Sequence, residues 1–185
     1  MNNTKTFFIF FLLIFLLPIK SFSLIEVDIT RGNLNPLPLA VSPLSIDEKS
    51  RKSFESLLKK KNIGSEISSI VENNLRTSGL FNPLNKDAFL QAPDIANLKP
   101  RFEDWNLIKA QALITGKVSF VDEKLRVEFR LWDILAGKEM MALAFTTVPN
   151  NWRRVGHIIS DKVYERLTGE KGYFDARIIY VAEEG

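Results

Sequence analysis

The chain has 185 residues, 45% of them hydrophobic, with 25 Lys and Arg against 22 Asp and Glu. That is enough for one domain with a core of its own and too little for two large ones. There is no cysteine and a single histidine, which excludes a disulfide framework, a lipid-modified cysteine, a thiolate zinc site and any two-histidine metal arrangement.

Residues 1–23 read as a secretory signal peptide. Lys5 gives a weakly basic start, Phe7 to Leu17 is an unbroken apolar run, Pro18 breaks it, and Ser21-Phe22-Ser23 offers small residues for cleavage. The run is shorter than the roughly 20 residues of a spanning helix, and Lys20 closes it, so no integral membrane span is expected. Cleavage after Ser23 makes Leu24 the first mature residue. Without Lys5 and Lys20 the chain carries 23 basic residues against 22 acidic ones, and a nearly neutral domain does not argue for nucleic acid or an anionic membrane surface.

In Leu24 to Thr30, Ile25, Val27 and Ile29 alternate with Glu26, Asp28 and Thr30, the period of a half-buried strand at a free chain end. Arg31-Gly32-Asn33 and two prolines interrupt it, and Leu39 to Pro43 forms a second short strand. Residues 45–62 are charged and serine-rich and end in Lys59-Lys60-Lys61. They read as a solvated helix or loop with a thin stripe of Phe54, Leu57 and Leu58. A firmer helix covers Ile63 to Ser78, with Ile63, Ile67, Ile70, Val71 and Leu75 on one face and Gly79 closing it. Leu80 to Leu84 is extended, and Asn85 to Arg101, with two prolines, is a loop. Asp104 is expected to cap a short helix carrying Trp105 and Ile108.

Three alternating strands follow. Ile114, Gly116, Val118 and Phe120 face inward. After the Asp122-Glu123 turn come Leu125, Val127, Phe129 and Leu131, and beyond Ala136-Gly137-Lys138 come Met141, Leu143 and Phe145. This is an antiparallel meander whose other face, bearing Arg126, Glu128 and Arg130, is wet. A last helix from about Asn151 to Thr168 aligns Trp152, Val155, Ile159, Val163 and Leu167, with Gly156 allowing close approach to the sheet. The class is α+β: a two-layer fold with a mixed sheet and two main helices on one face.

The residues offer little for catalysis. His157 is placed on the outer side of the last helix, Asp161 and Glu165 are ordinary helix-surface carboxylates, and the three tryptophans suit a core. No phosphate loop, nucleophile elbow or metal-ligand spacing occurs. No enzymatic activity and no cofactor are expected; a small hydrolase would have to depend on His157.

Taken together, the segments resemble the TolB amino-terminal domain family. The matching pieces are Leu24 to Gly32, Pro38 to Pro43, Leu75-Arg76-Thr77-Ser78-Gly79-Leu80-Phe81 and Phe102-Glu103-Asp104-Trp105. They continue with Ala112 to Gly116, Phe129-Arg130-Leu131-Trp132-Asp133 with Gly137-Lys138, and Arg153 to Val181. The resemblance implies a periplasmic, non-catalytic adaptor of the Tol–Pal system that supports outer-membrane integrity and envelope constriction during division. It implies residues 24–172 as the first domain and 173–185 as the start of a six-bladed β-propeller. It also implies that Leu24, Ile25, Glu26, Val27, Asp28, Ile29 and Thr30 bind a TolA-like inner-membrane protein. A Pal-like lipoprotein would be bound only with the propeller, which does not follow here, so the chain is expected to be a fragment or a truncated product. Residues 45–62 look longer and more basic than the family's linker. The other reading is a stand-alone envelope assembly or ligand-binding module that uses the wet sheet face or Lys59–Lys61.

Overall fold

The computed structural model describes residues 35–60 and 62–176, and Leu24 to Thr30 and Arg177 to Val181 lie outside them. The described part is a mixed sheet with helices, an α+β fold. The strands are β1 (Leu37–Val41), β2 (Ser45–Ile46), β3 (Phe81–Pro83), β4 (Ala112–Val121), β5 (Lys124–Asp133) and β6 (Lys138–Thr147). Among the described residues the order is β3-β1-β4-β5-β6, with β2 also on β4. β1 runs parallel to both β3 and β4, while β4, β5 and β6 form the expected antiparallel meander. The β4–β5 turn places Asp122 and Glu123 at positive φ (48° and 59°), as a two-residue hairpin of right-handed twist demands.

β1 and β2 share one edge of β4, separated by Ser42-Pro43-Leu44. Proline cannot donate to the ladder, and a side chain repairs the gap. Ser68 Oγ accepts from Leu44 N (3.0 Å) and lies 3.1 Å from the Ser42 carbonyl, within hydrogen-bonding reach.

The helices are α1 (Glu48–Leu58), α2 (Ile63–Thr77), α3 (Pro93–Leu98), α4 (Phe102–Leu107) and α5 (Trp152–Thr168). α2 and α5 cover one sheet face. Their apolar stripes are the expected ones: Ile63, Ile67, Val71 and Leu75 on α2, and Trp152, Val155, Ile159, Val163 and Leu167 on α5, join Leu39, Ile114, Val127, Phe129 and Leu131 in the main core. Gly156 permits close approach, but to α2 and not to the sheet: a Cβ there would lie 2.9 Å from Ile70 Cγ2. Small residues let two helices cross where a branched pair would hold them apart.

The charged stretch after β2 is an ordered helix. The carboxylate of Asp47 caps α1 by accepting from Ser50 N (2.9 Å), and Ser50 Oγ in turn accepts from Phe120 N (2.9 Å), tying the helix to β4. Of the expected stripe, Phe54 is fully buried, edge-on to Phe120, whereas Leu57 is 57% exposed.

The opposite sheet face is not uniformly wet. Ala40, Leu113 and Ile134 meet Ala96 of α3 and Trp105 of α4 in a second, smaller core. The prolines of residues 85–101 suggested a loop, yet Pro93 occupies the first turn of α3, where its missing N–H costs nothing. Asp104 is not the cap of α4. Arg101 precedes the helix, and Asp104 sits in the first turn, accepting from Arg101 Nε at 2.7 Å. Gln91 locks this layer: its Oε1 accepts from Trp105 Nε1 (3.0 Å) and Arg101 N (3.0 Å), and its Nε2 donates to Lys99 O (3.1 Å).

Candidate interaction surfaces

Side chains with chemical potential are committed to structure. His157 is half-buried at the α2–α5 seam and not on an open surface, with Nδ1 2.9 Å from Asn74 Nδ2. The same amide nitrogen donates to Ser160 Oγ (3.0 Å), which donates to Gly156 O (2.9 Å). Buried polar atoms are held only where they are satisfied, and this chain of bonds satisfies the polar side chains along the seam where Gly156 lets the helices approach. Asp161 and Glu165 do not form an acid–base pair. Asp161 accepts from two backbone amides beyond the helix, and Glu165 pairs with Lys162 at 2.8 Å, whose hydrogen bond holds its carboxyl below the ordinary range.

Burial would push Glu72 on α2 upward. The hydrogen-bonded ion pairs from Lys86 (2.8 Å) and Arg76 (2.6 Å) outweigh it and hold the carboxyl below its ordinary value. No group of three or more His, Cys, Asp or Glu able to hold a metal occurs among the described residues. No helix among them is long and apolar enough to cross a membrane.

The surface offers a groove and an edge. A groove of about 600 Å³ lies between α1 and the β4–β5 turn, walled by Leu57, Leu58, Phe120, Glu123 and Pro149. The edge is β6, ten residues long, with a neighbour on one side only among the described residues. The lysine patch is weaker than its sequence suggests. Lys60 pairs with Glu66 (2.7 Å) and lies over the Trp152 ring (5.2 Å to its centroid).

The profile of the family described as TolB amino-terminal domain matches residues 25–140, a span that takes in Ile25 to Thr30 and runs into β6. Over 175 residues, 95% of the chain, the sequence is 81% identical to the Tol-Pal system protein TolB of Pelagibacter ubique (strain HTCC1062). The chain belongs to the TolB amino-terminal domain family. It spans about two fifths of that relative, the alignment covering 39% of its length. The fold is similar to the crystal structure of TolB from Acinetobacter baumannii, with a TM-score of 0.61 over 82% of this chain and 33% of that one. At 20% identity this is a likeness of fold alone.

In this TolB-family domain the segment assigned by resemblance to partner binding, Leu24 to Thr30, lies outside the described residues. Two features were missed in the sequence. Leu57 is displayed on the groove, because α1 turns Phe54 and in part Leu58 toward the core and leaves Leu57 outside. Asp161 reaches backbone thirteen and fourteen residues away, a contact that no local pattern encodes. Gly172, followed by two aromatics, was the available signal.

Proposed function

We propose that the domain is a non-catalytic periplasmic adaptor of the Tol–Pal system, delivered by a cleaved signal peptide and acting in envelope integrity and constriction. The observation that carries this is the 81% identity to a Tol-Pal system protein over nearly the whole chain. Leu24 to Thr30 is the partner-binding segment, engaging a TolA-like inner-membrane protein. Its alternation of Ile25, Val27 and Ile29 with Glu26 and Asp28 suits strand addition to a partner's sheet edge, where backbone bonds supply affinity and alternate side chains supply specificity. Binding of a Pal-like lipoprotein belongs to a propeller and is not assigned to these residues.

The test is titration of the chain beginning at Leu24 with the C-terminal domain of a TolA-like protein by calorimetry. Saturable binding that disappears when residues 24–30 are deleted supports the reading. Binding that survives the deletion but is lost on Lys59→Ser/Lys60→Ser moves the site to the lysine patch and overturns it.

A further inference from the structure

After α5 ends at Gly169 the chain does not leave the domain but folds back along the helix it has just completed. Arg154 and Asp161 are seven residues apart on α5, two turns or about 10 Å along the same face. The returning segment meets them in reverse order. Phe174 N and Asp175 N donate to the two oxygens of the Asp161 carboxylate at 2.7 and 3.1 Å. One step further, the Asp175 carboxylate takes a forked contact from Arg154, with Nε to Oδ1 and Oδ2 at 3.1 Å and Nη2 to Oδ2 at 3.0 Å.

Gly172 allows the backbone to lie on the helix. A Cβ there would overlap the Asp161 backbone and sit 2.6 Å from the Asp161 Cβ. Aromatic packing closes the clasp. Tyr164 stands edge-on to Tyr173 (5.5 Å), Phe174 (5.9 Å) and Phe81 (6.1 Å), which joins the returning segment to α5 and to the sheet.

This is not helix capping. Gly169 closes α5 through its own N–H to Glu165 O at 2.9 Å, and Asp161 lies two turns before that end. A carboxylate that accepts two backbone N–H groups makes charge-assisted bonds, about twice as strong as neutral ones.

We propose that Asp161 is a latch: by gripping the backbone of Phe174 and Asp175, with Arg154 holding the Asp175 side chain, it fixes the direction in which the chain leaves the domain at Ala176. Ala176 is then held beside the N-terminal half of α5, where Arg154 grips Asp175, and not swung from the helix's C-terminus. This goes beyond the adaptor reading and does not depend on any partner.

The full chain tests it by two readouts. Hydrogen exchange of the Phe174 and Asp175 amides reads the grip. In a chain without native cysteine, spin labels at Lys162→Cys and Ala176→Cys read the exit direction as a distance distribution. The wild-type amides should be protected and the distribution narrow. Asp161→Ala should speed exchange at both amides at least about tenfold, as a local opening does, and broaden the distribution, leaving the Ile159 and Val163 amides unchanged. Asp161→Asn, with one carbonyl acceptor left, should free one amide more than the other, and Glu165→Ala should change neither. Unprotected wild-type amides, or a distribution still narrow in Asp161→Ala, would overturn the latch. So would loss of protection throughout α5, which would make Asp161 a support of the helix itself.

Discussion

At Gly156 one missing methyl group separates a close helix crossing from a clash. A Cβ would lie 2.9 Å from Ile70 Cγ2 and 3.0 Å from its Cβ, so the neighbouring helix would have to yield. For Gly156→Ala that overlap is offset by about 1 kcal/mol of regained helix propensity, and near-neutral stability is expected. Gly156→Val adds branched atoms with nowhere to go and should cost about 2–3 kcal/mol by overpacking. Urea denaturation of the two variants checks the contrast, and equal effects would show that the α2–α5 seam is loosely packed.

Glu72 gives a pH dependence of known sign. Its folded pKa lies below its ordinary value of 4.5. The stability it contributes is therefore present above about 4.5 and lost as pH falls through the folded value. Melting curves from pH 7 to pH 3 should show the wild type losing stability below about 4.5 and Glu72→Gln flatter over that window, at the cost of about 1 kcal/mol at pH 7 from the lost ion pairs.

Elements with a strong period were legible in the sequence, and those held by tertiary contacts were not. β5 alternates every second residue along its ten-residue run, β4 and β6 do so over shorter stretches (Leu143 of β6, expected inward, is 38% exposed), and α2 and α5 each carry a stripe of four or more apolar residues. These signals survive without knowledge of neighbours. α3 has six residues, no side-chain cap and one buried apolar residue, Ala96. Its existence depends on the surface that Trp105 and Leu113 present to it, which composition alone does not reveal. The candidate site divides in the same way. Leu24–Thr30 reads in the sequence as an alternating segment and lies outside the described residues, while the Asp161 contacts needed the folded backbone.

Gln91 is the element-level counterpart, since one side chain satisfies Trp105, Arg101 and Lys99. Gln91→Ala should strand those groups in a buried layer and cost about 2–3 kcal/mol. Because Trp105 loses its partner, tryptophan emission should shift to the red before the main cooperative transition. A coincident shift would mean that the second core does not loosen on its own.

On the scale of the whole molecule, the two edges that the sheet has among the described residues are protected to different degrees. The β3 edge is three residues long and ends in Pro83, a residue unable to extend a ladder. The β6 edge is ten residues long, and from Met140 to Thr147 it carries no charge, only Met, Ala, Leu, Phe and Thr. Long uncharged edges template further strands, and charge on an edge is the usual deterrent. The register shift between Leu131 and Trp132 twists only the start of β6, leaving the stretch from Met141 to Thr147 regular.

Self-association through β6 is therefore expected to limit the isolated chain at high concentration. Ala144→Lys should suppress it. Ala144 is exposed and stands opposite Glu128 in the β5–β6 register, so the added ammonium meets a carboxylate and leaves the core untouched. Light scattering against concentration should show slower growth for the variant, with melting temperatures about equal because surface changes of this kind stay within about 0.5 kcal/mol. If scattering is unchanged by the lysine, the association runs through another surface, and the groove beside Leu57 becomes the one to charge next.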